Sequence, residues 1–292
     1  MKLLSYGSMN IDNVYGVAHI VTPGETEIAE TRQVFCGGKG LNQSVAAARA
    51  GCTVFHAGAV GEDGEMLLRV LREENVDTHL VLNRPGMSAH TVIQVDANGQ
   101  NSILVFSGEA MRPTEDEQDR MLEEFAEGDL LLLQNELFGS ARMAEKAAAK
   151  GMRVVLNPSP MNKEIFKFPL ERIAWFVMNE IEGGAITGET EPDAILTAMR
   201  SRCPNASVLL TLGEKGAICR CGETVLRQPA FPVRAVDTTA AGDTFTGYFL
   251  AGLMEGIPLE KILRRAAKAA AITVSRPGAA ASIPRAGELA ED

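Results

Sequence analysis

The chain has 292 residues, 46% of them hydrophobic and 23% charged, which suits one large α/β domain, alone or with a small appendage. Its net charge of −10 argues against a nucleic-acid surface, though not against a local basic pocket. The five cysteines form no Cys-x-x-Cys pair and the four histidines no metal-ligand spacing, so reduced thiols and no zinc site are expected.

The first residues, Met1 to Gly7, lack the apolar core of a secretion signal, and no apolar run reaches roughly 18 residues, so a cytoplasmic chain is expected. Lys2–Gly7 predicts a buried first strand. Asn10 and Asp12 come just past its C-terminal end, where open α/β sheets bind ligands, and share one side because strand periodicity is two. Plain turn chemistry is the alternative. Residues 13–34 depart from the core pattern, with strand-like pieces Val14–Ile20 and Glu27–Val34 around Thr22-Pro23-Gly24. They predict a small β insertion over the site.

Glycines at 37 and 38 then open a helix whose face carries Val45, Ala46, Ala48 and Arg49. The run fits neither G-x-x-x-x-G-K-[ST] nor G-x-G-x-x-G. Gly37 and Gly38 permit close backbone approach, while Lys39 and Asn42 offer donors to hydroxyls. A β–α alternation follows: strand Thr53–Ala57, helix Gly64–Glu74, strand Leu80–Leu82. Val92–Val95 and Ser102–Phe106 flank the hairpin signal Asn98-Gly99 and predict a second insertion, 89–107, pairing with the first as a lid. The expected division is therefore a main domain of 1–12, 35–88 and 108–292, with a lid of 13–34 and 89–107. Strand Asp129–Gln134 leads to Glu136, which lies at the sheet's ligand end or simply starts a helix. Strands Arg153–Leu156 and Ala174–Met178 follow, then helix Pro192–Arg202, strand Ser207–Leu212, hairpin Ala217–Arg220 and Glu223–Arg227, and helix Leu259–Val274.

The stretch Val236–Gly247, V-D-T-T-A-A-G-D-T-F-T-G, carries the chemistry. Ala241 and Gly242 are small and precede an apolar helical pattern, so free N–H groups at the helix start form an anion cradle. Asp243 sits in that first turn. A carboxylate beside an anion cradle makes sense if a hydroxyl hands it a proton while attacking a cradled phosphoryl group. The bland alternative is a first-turn acid favoured by the helix dipole.

D-T-x-A-A-G-D-x-F resembles the C-terminal signature of the ribokinase/phosphofructokinase-B family of sugar kinases, and G-G-K-G-x-N-Q-x-V-A-A-A-R resembles an N-terminal signature of that family. The resemblance spans Gly7 to Ser282. It implies a three-layer α/β sandwich with a mostly parallel central sheet flanked by helices, plus a β-sheet lid. It implies Asp243 as catalytic base, Ala241 and Gly242 as anion hole, and Asn10, Asp12, Gly38, Lys39, Asn42 and Glu136 as sugar contacts. Asn179, Thr211, Gly213 and Gly216 fall on nucleotide-binding positions. Glu182 falls near Mg²⁺, acting indirectly, and Asp237, Thr239, Arg276, Gly278 and Ser282 fall on a site for activating K⁺, although Pro277-Gly278 also reads as an ordinary turn. The activity implied is transfer of the γ-phosphoryl of ATP to the primary hydroxyl of a pentose, D-ribose foremost, by a homodimer joined through the lid. Another sugar, a nucleoside, or a non-catalytic sensor are the alternatives. The chain departs from the family pattern at Ser88-Ala89-His90-Thr91 and Ser107-Gly108-Glu109-Ala110, both in or beside the lid.

Overall fold

The computed structural model describes residues 1–108 and 111–289. Its strands are β1 Leu3–Tyr6, β2 Asn10–Gly16, β3 Thr31–Gly37, β4 Val54–Val60, β5 Asp77–Asn83, β6 His90–Val95, β7 Asn101–Phe106, β8 Leu130–Gln134, β9 Arg153–Asn157, β10 Trp175–Asn179, β11 Ser207–Thr211, β12 Ala217–Cys221 and β13 Thr224–Gln228. Its helices are α1 Lys39–Arg49, α2 Glu65–Glu73, α3 Glu115–Leu122, α4 Ser140–Ala149, α5 Glu180–Thr187, α6 Pro192–Arg202, α7 Ala241–Glu255 and α8 Leu259–Val274.

Among the described residues the strands form a nine-stranded sheet, ordered β13-β12-β11-β10-β9-β8-β1-β4-β5, and a four-stranded sheet, β3-β2-β6-β7. The large sheet is parallel from β5 to β11 and closes with the antiparallel hairpin β12–β13. Parallel strands are covered on both faces and read as unbroken apolar runs. Leu130 to Leu133 are accordingly all fully buried. One face packs Leu41 and Val45 of α1, Leu67 of α2, Phe249 of α7 and Ile262 of α8. The other packs Met121 of α3, Met143 of α4, Ile186 of α5 and Ile195 of α6.

Two close approaches set the site. A Cβ at Gly40 would come within 2.6 Å of the Gly7 Cα, so α1 lies directly on the end of β1. A Cβ at Gly247 would lie 2.4 Å from the Ala46 Cβ and 2.5 Å from the Ala47 N, so α1 and α7 touch with nothing larger than a methyl group between them. The first turns of both helices therefore reach the same end of the sheet.

The small sheet unites the two insertions through the parallel pairing of β2 with β6. It starts earlier and ends later than the sequence reading drew it. β2 begins at Asn10 and β3 runs to Gly37, so Asn10 and Asp12 are strand residues of the small sheet rather than a tail on β1. The same-side spacing of Asn10 and Asp12 was already the strand period. Ser88 and Ala89 are fully buried, and the Ser88 hydroxyl accepts from the Gly61 N–H at 2.9 Å. His90 lies in β6 with its ring 5.0 Å from that of Phe106. The departure at Glu109 and Ala110 lies outside the described residues.

Candidate active site

Asp243 stands partly buried in the first turn of α7, one residue past Gly242. Two amides of α1 hold its carboxylate: Asn42 Nδ2 donates to Oδ2 at 3.1 Å and Gln43 Nε2 to Oδ1 at 2.8 Å. The protein packed around the carboxyl pushes its pKa up, while Lys39 and the two amides pull it back. The start of α7 carries no side-chain cap, and the residue before it, Ala240, takes a left-handed φ of 61°. Such a φ on a residue with a Cβ costs roughly 1–2 kcal/mol. The Ala241 N–H donates to the Thr238 carbonyl at 3.3 Å, so the uncapped donors of this first turn are the N–H groups of Gly242 and Asp243.

Several of the residues expected to contact a sugar lie near the same carboxylate. Glu136 accepts a short hydrogen bond from the Ser8 hydroxyl, and burial raises its pKa, with Lys39 lowering it and Asp243 and Asp12 raising it further. Asp12 is likewise raised by burial, offset by the Thr91 hydroxyl that donates to Oδ1 at 2.8 Å. The amide oxygens of Asn10 and Asn42 are buried without a partner. An orphaned buried acceptor costs free energy unless something supplies a donor, and hydroxyls do. Gly37 and Gly38 make room for this arrangement. A Cβ on Gly37 would sit 1.9 Å from Asp12 Oδ2, and one on Gly38, whose φ is 98°, 2.8 Å from the Ser8 carbonyl oxygen.

On the other side of Gly242 lies a cavity of about 770 Å³. Thr211, Gly213, Gly216, Ala241 and Gly242 line it, as do the apolar Phe231, Val233, Ala270 and Val274. Asn179 does not line it. Its side chain instead caps α5, accepting from the Glu182 N–H at 2.8 Å while Glu182 accepts from the Asn179 N–H at 2.9 Å. Glu182 is nonetheless close enough to the cleft for Lys39 to lower its burial-raised pKa and Asp243 to raise it.

Behind Ala240, Asp237 accepts from the Thr239 N–H at 2.9 Å and from the Gly278 N–H at 3.0 Å. Burial alone would raise its pKa, but these donors together hold it below the ordinary value. The Ser282 hydroxyl points back to the Ala279 carbonyl at 2.8 Å, and the Arg276 side chain pairs with Glu288 at 2.6 Å, leaving the Arg276 contribution to any ion to its backbone. Among the described residues, the one group of three His, Cys, Asp or Glu side chains close enough to share a metal is the exposed-side trio His19, Glu25 and Glu27, where His19 already pairs with Glu25 at 2.6 Å.

The model of the pfkB family of carbohydrate kinases matches residues 1–286. The chain belongs to the pfkB family of carbohydrate kinases. It is 36% identical to a ribokinase of Haemophilus influenzae over 98% of this chain and 96% of the relative. It is 32% identical to a deoxyribokinase of Salmonella typhi over 97% and 96%. A solved ribokinase of Arabidopsis thaliana, complexed with ribose and ATP, superposes with a TM-score of 0.86 at 30% identity, covering 98% of this chain and 96% of that one.

In this carbohydrate kinase the structure brings Asn10, Asp12, Gly38, Lys39, Asn42, Glu136 and Asp243 to one cleft, and Thr211, Gly213 and Gly216 to the adjoining cavity. Reasoning from sequence passed over several neighbours. Gln43 touches the carboxylate directly, and Thr91 and Ser8 hold Asp12 and Glu136. Gln43 directly follows Asn42 inside the N-terminal signature and was there to be read. Thr91 stood within the departure at Ser88–Thr91, but only the pairing of β2 with β6 brings it opposite Asp12.

Proposed function

We propose that this chain transfers the γ-phosphoryl group of ATP to the primary hydroxyl of a pentose, D-ribose foremost, giving ribose 5-phosphate. The observation that carries the reading is Asp243 itself: a carboxylate held by Asn42 and Gln43, beside an uncapped helix start that opens on a nucleotide-sized cavity. Asn10, Asp12, Gly38, Lys39, Asn42 and Glu136 hold the sugar, with the orphaned Asn10 and Asn42 oxygens accepting from its hydroxyls. Asp243 takes the proton of the attacking hydroxyl, and the turn Ala241–Gly242–Asp243, chiefly through the N–H groups of Gly242 and Asp243, stabilises charge building on the phosphoryl oxygens. Phosphoryl transfer asks chiefly for such positioning and charge compensation.

ATP occupies the cavity by the walls described, with Thr211, Gly213 and Gly216 nearest its polar parts. Asn179 supports it indirectly, by fixing α5. Mg²⁺ adds positive charge beside the phosphates. Glu182 fits it only through water, because one carboxylate oxygen already accepts from Asn179, and Mg²⁺ keeps several of its waters. A monovalent cation such as K⁺ fits the all-oxygen set of Asp237, Thr239, Ser282 and the carbonyls of Arg276 and Gly278, with Asp237 kept ionised by its N–H donors. The small sheet acts as a lid over the sugar, excluding water. Its outer strand exposes Ile103, Leu104, Val105 and Phe106, and a homodimer joined there would cover them. Among the described residues no helix is long and apolar enough to cross a membrane, and we place the enzyme in the cytoplasm. Deoxyribose is the second reading, supported by the deoxyribokinase relative.

The test is ADP release over a panel of ribose, deoxyribose, fructose and nucleosides, with and without K⁺, by the native protein and Asp243→Asn. Ribose should give the highest kcat/KM, and Asp243→Asn should cut kcat by roughly 10²–10⁴ with sugar binding kept. Near-normal turnover in that variant removes the assignment of the base, and an idle native protein across the panel leaves the sensor reading.

A further inference from the structure

The carboxylate of Asp243 is the end of a longer chain of amides. Gln43 donates to Asp243 Oδ1 at 2.8 Å, and Gln134, the last residue of β8, donates from Nε2 to Gln43 Oε1 at 2.7 Å. Both glutamines are fully buried. The Gln134 amide lies against Gly7, where a Cβ would come 2.1 Å from its Oε1, and that oxygen has no hydrogen-bond partner. The direction of the chain is forced from the carboxylate end. An ionised carboxylate only accepts, so Gln43 must present its NH₂, which leaves its oxygen facing Gln134, which must then present its own NH₂. A buried glutamine with one orphaned oxygen is costly as pure packing, and an apolar side chain would fill the same space.

We propose that Gln134 is a positioning residue for phosphoryl transfer: it holds the Gln43 oxygen, so that the Gln43 NH₂ stays fixed on Asp243. The inference rests on Asp243 being the base. Without Gln134 the Gln43 oxygen loses its donor, Asp243 alone holds the amide, and the Gln43 hydrogen bond to the carboxylate loosens. The other charges that face Asp243 are Lys39 from α1, which favours its ionised form, and Glu136 and Glu182, from the segment after β8 and from α5, whose own pKa values Asp243 raises. They stay in place when residue 134 changes, so the shift expected is that of the amide alone. Losing a donor raises the pKa of an acid. The acid limb of the pH profile therefore moves to higher pH.

The experiment measures kcat, sugar KM and the pH profile of kcat/KM for the native protein, Gln134→Met, Gln134→Glu and Asp243→Asn. Gln134→Met keeps length and shape and should lower kcat on the order of tenfold with sugar KM within about twofold, and move the acid limb up by about one pH unit. Gln134→Glu should move it further, because a carboxylate at 134 pulls the Gln43 NH₂ toward itself and turns the Gln43 oxygen onto Asp243. A buried carboxylate can unfold the chain, in which case Gln134→Met decides alone. Acid limbs of the Gln134 variants that overlay the native one, with Asp243→Asn inactive, overturn the positioning role and leave the base assignment standing. An active Asp243→Asn overturns the base assignment, and the positioning role with it.

Discussion

Gly242→Ala separates folding from function at the start of α7. Gly242 is the second residue of the helix and is exposed to the cleft. A Cβ built there meets nothing within 4 Å, so the protein itself has room for a methyl group. Glycine in a helix interior is disfavoured against alanine by about 1 kcal/mol, and in a first turn by about half that. For a domain of this size, about 0.5 kcal/mol raises Tm by roughly 1–2 °C. The same methyl projects into the space where the transferred phosphoryl group must approach the amides of residues 241 to 243. Displacing that group by roughly 1 Å costs about 10²-fold in rate. The expected variant is thus slightly more stable and much slower. Calorimetric melting of the ligand-free protein beside steady-state ADP release at saturating sugar reads both effects. A variant with raised Tm and native kcat and ATP KM would refute the placement of the phosphates at this helix start.

Two further substitutions probe the remaining parts. Gly37→Ala puts a Cβ 1.9 Å from Asp12 Oδ2, so Asp12 must move, and sugar KM should rise by roughly tenfold or more while ATP KM stays near native, as read by varying each substrate in turn. Arg84→Gln breaks the pairing of Arg84 with Glu117, which holds the Glu117 pKa down to about 2 against an ordinary 4.5. A depressed carboxyl stabilises the fold fully above its unfolded pKa and loses that contribution as pH falls through its folded one. Arg84→Gln should therefore lower stability by roughly 2 kcal/mol in urea melts near neutral pH, and the gap from native should narrow between pH 4.5 and about 2.

The legible parts of this fold were those written in local periodicity. Helices Pro192–Arg202 and Leu259–Val274 come out of the sequence with their observed ends, because a proline opens each boundary and the apolar spacing between is regular. The central strands read as apolar runs because both faces of a parallel sheet are covered. The small sheet was displaced by a few residues, since its strands are half exposed and their ends are set by partners across the sheet rather than by turn residues. Helix α3 went unread although Thr114 and Glu117 spell its capping box, the same device that binds Asn179 to Glu182. In that second case a structural explanation and a functional one fall on the same residues.

What sequence periodicity hides is what the site is built from. The left-handed Ala240, the uncapped start of α7, the orphaned oxygens of Asn10, Asn42 and Gln134, and the raised carboxyls of Asp12, Glu136, Glu182 and Asp243 each break a rule of good packing. Scattered over the surface they would be noise. They converge instead on one cleft, around a single lysine, at the ends of strands that are otherwise regular. The defects around Asp243 store binding capacity, because a ligand group of opposite character cures each: hydroxyls for the orphaned Asn10 and Asn42 oxygens, a phosphate for the bare helix start, a proton for the raised base. That complementarity, more than any one residue, is why a sugar alcohol and a nucleotide phosphate account for this cleft together and neither accounts for it alone.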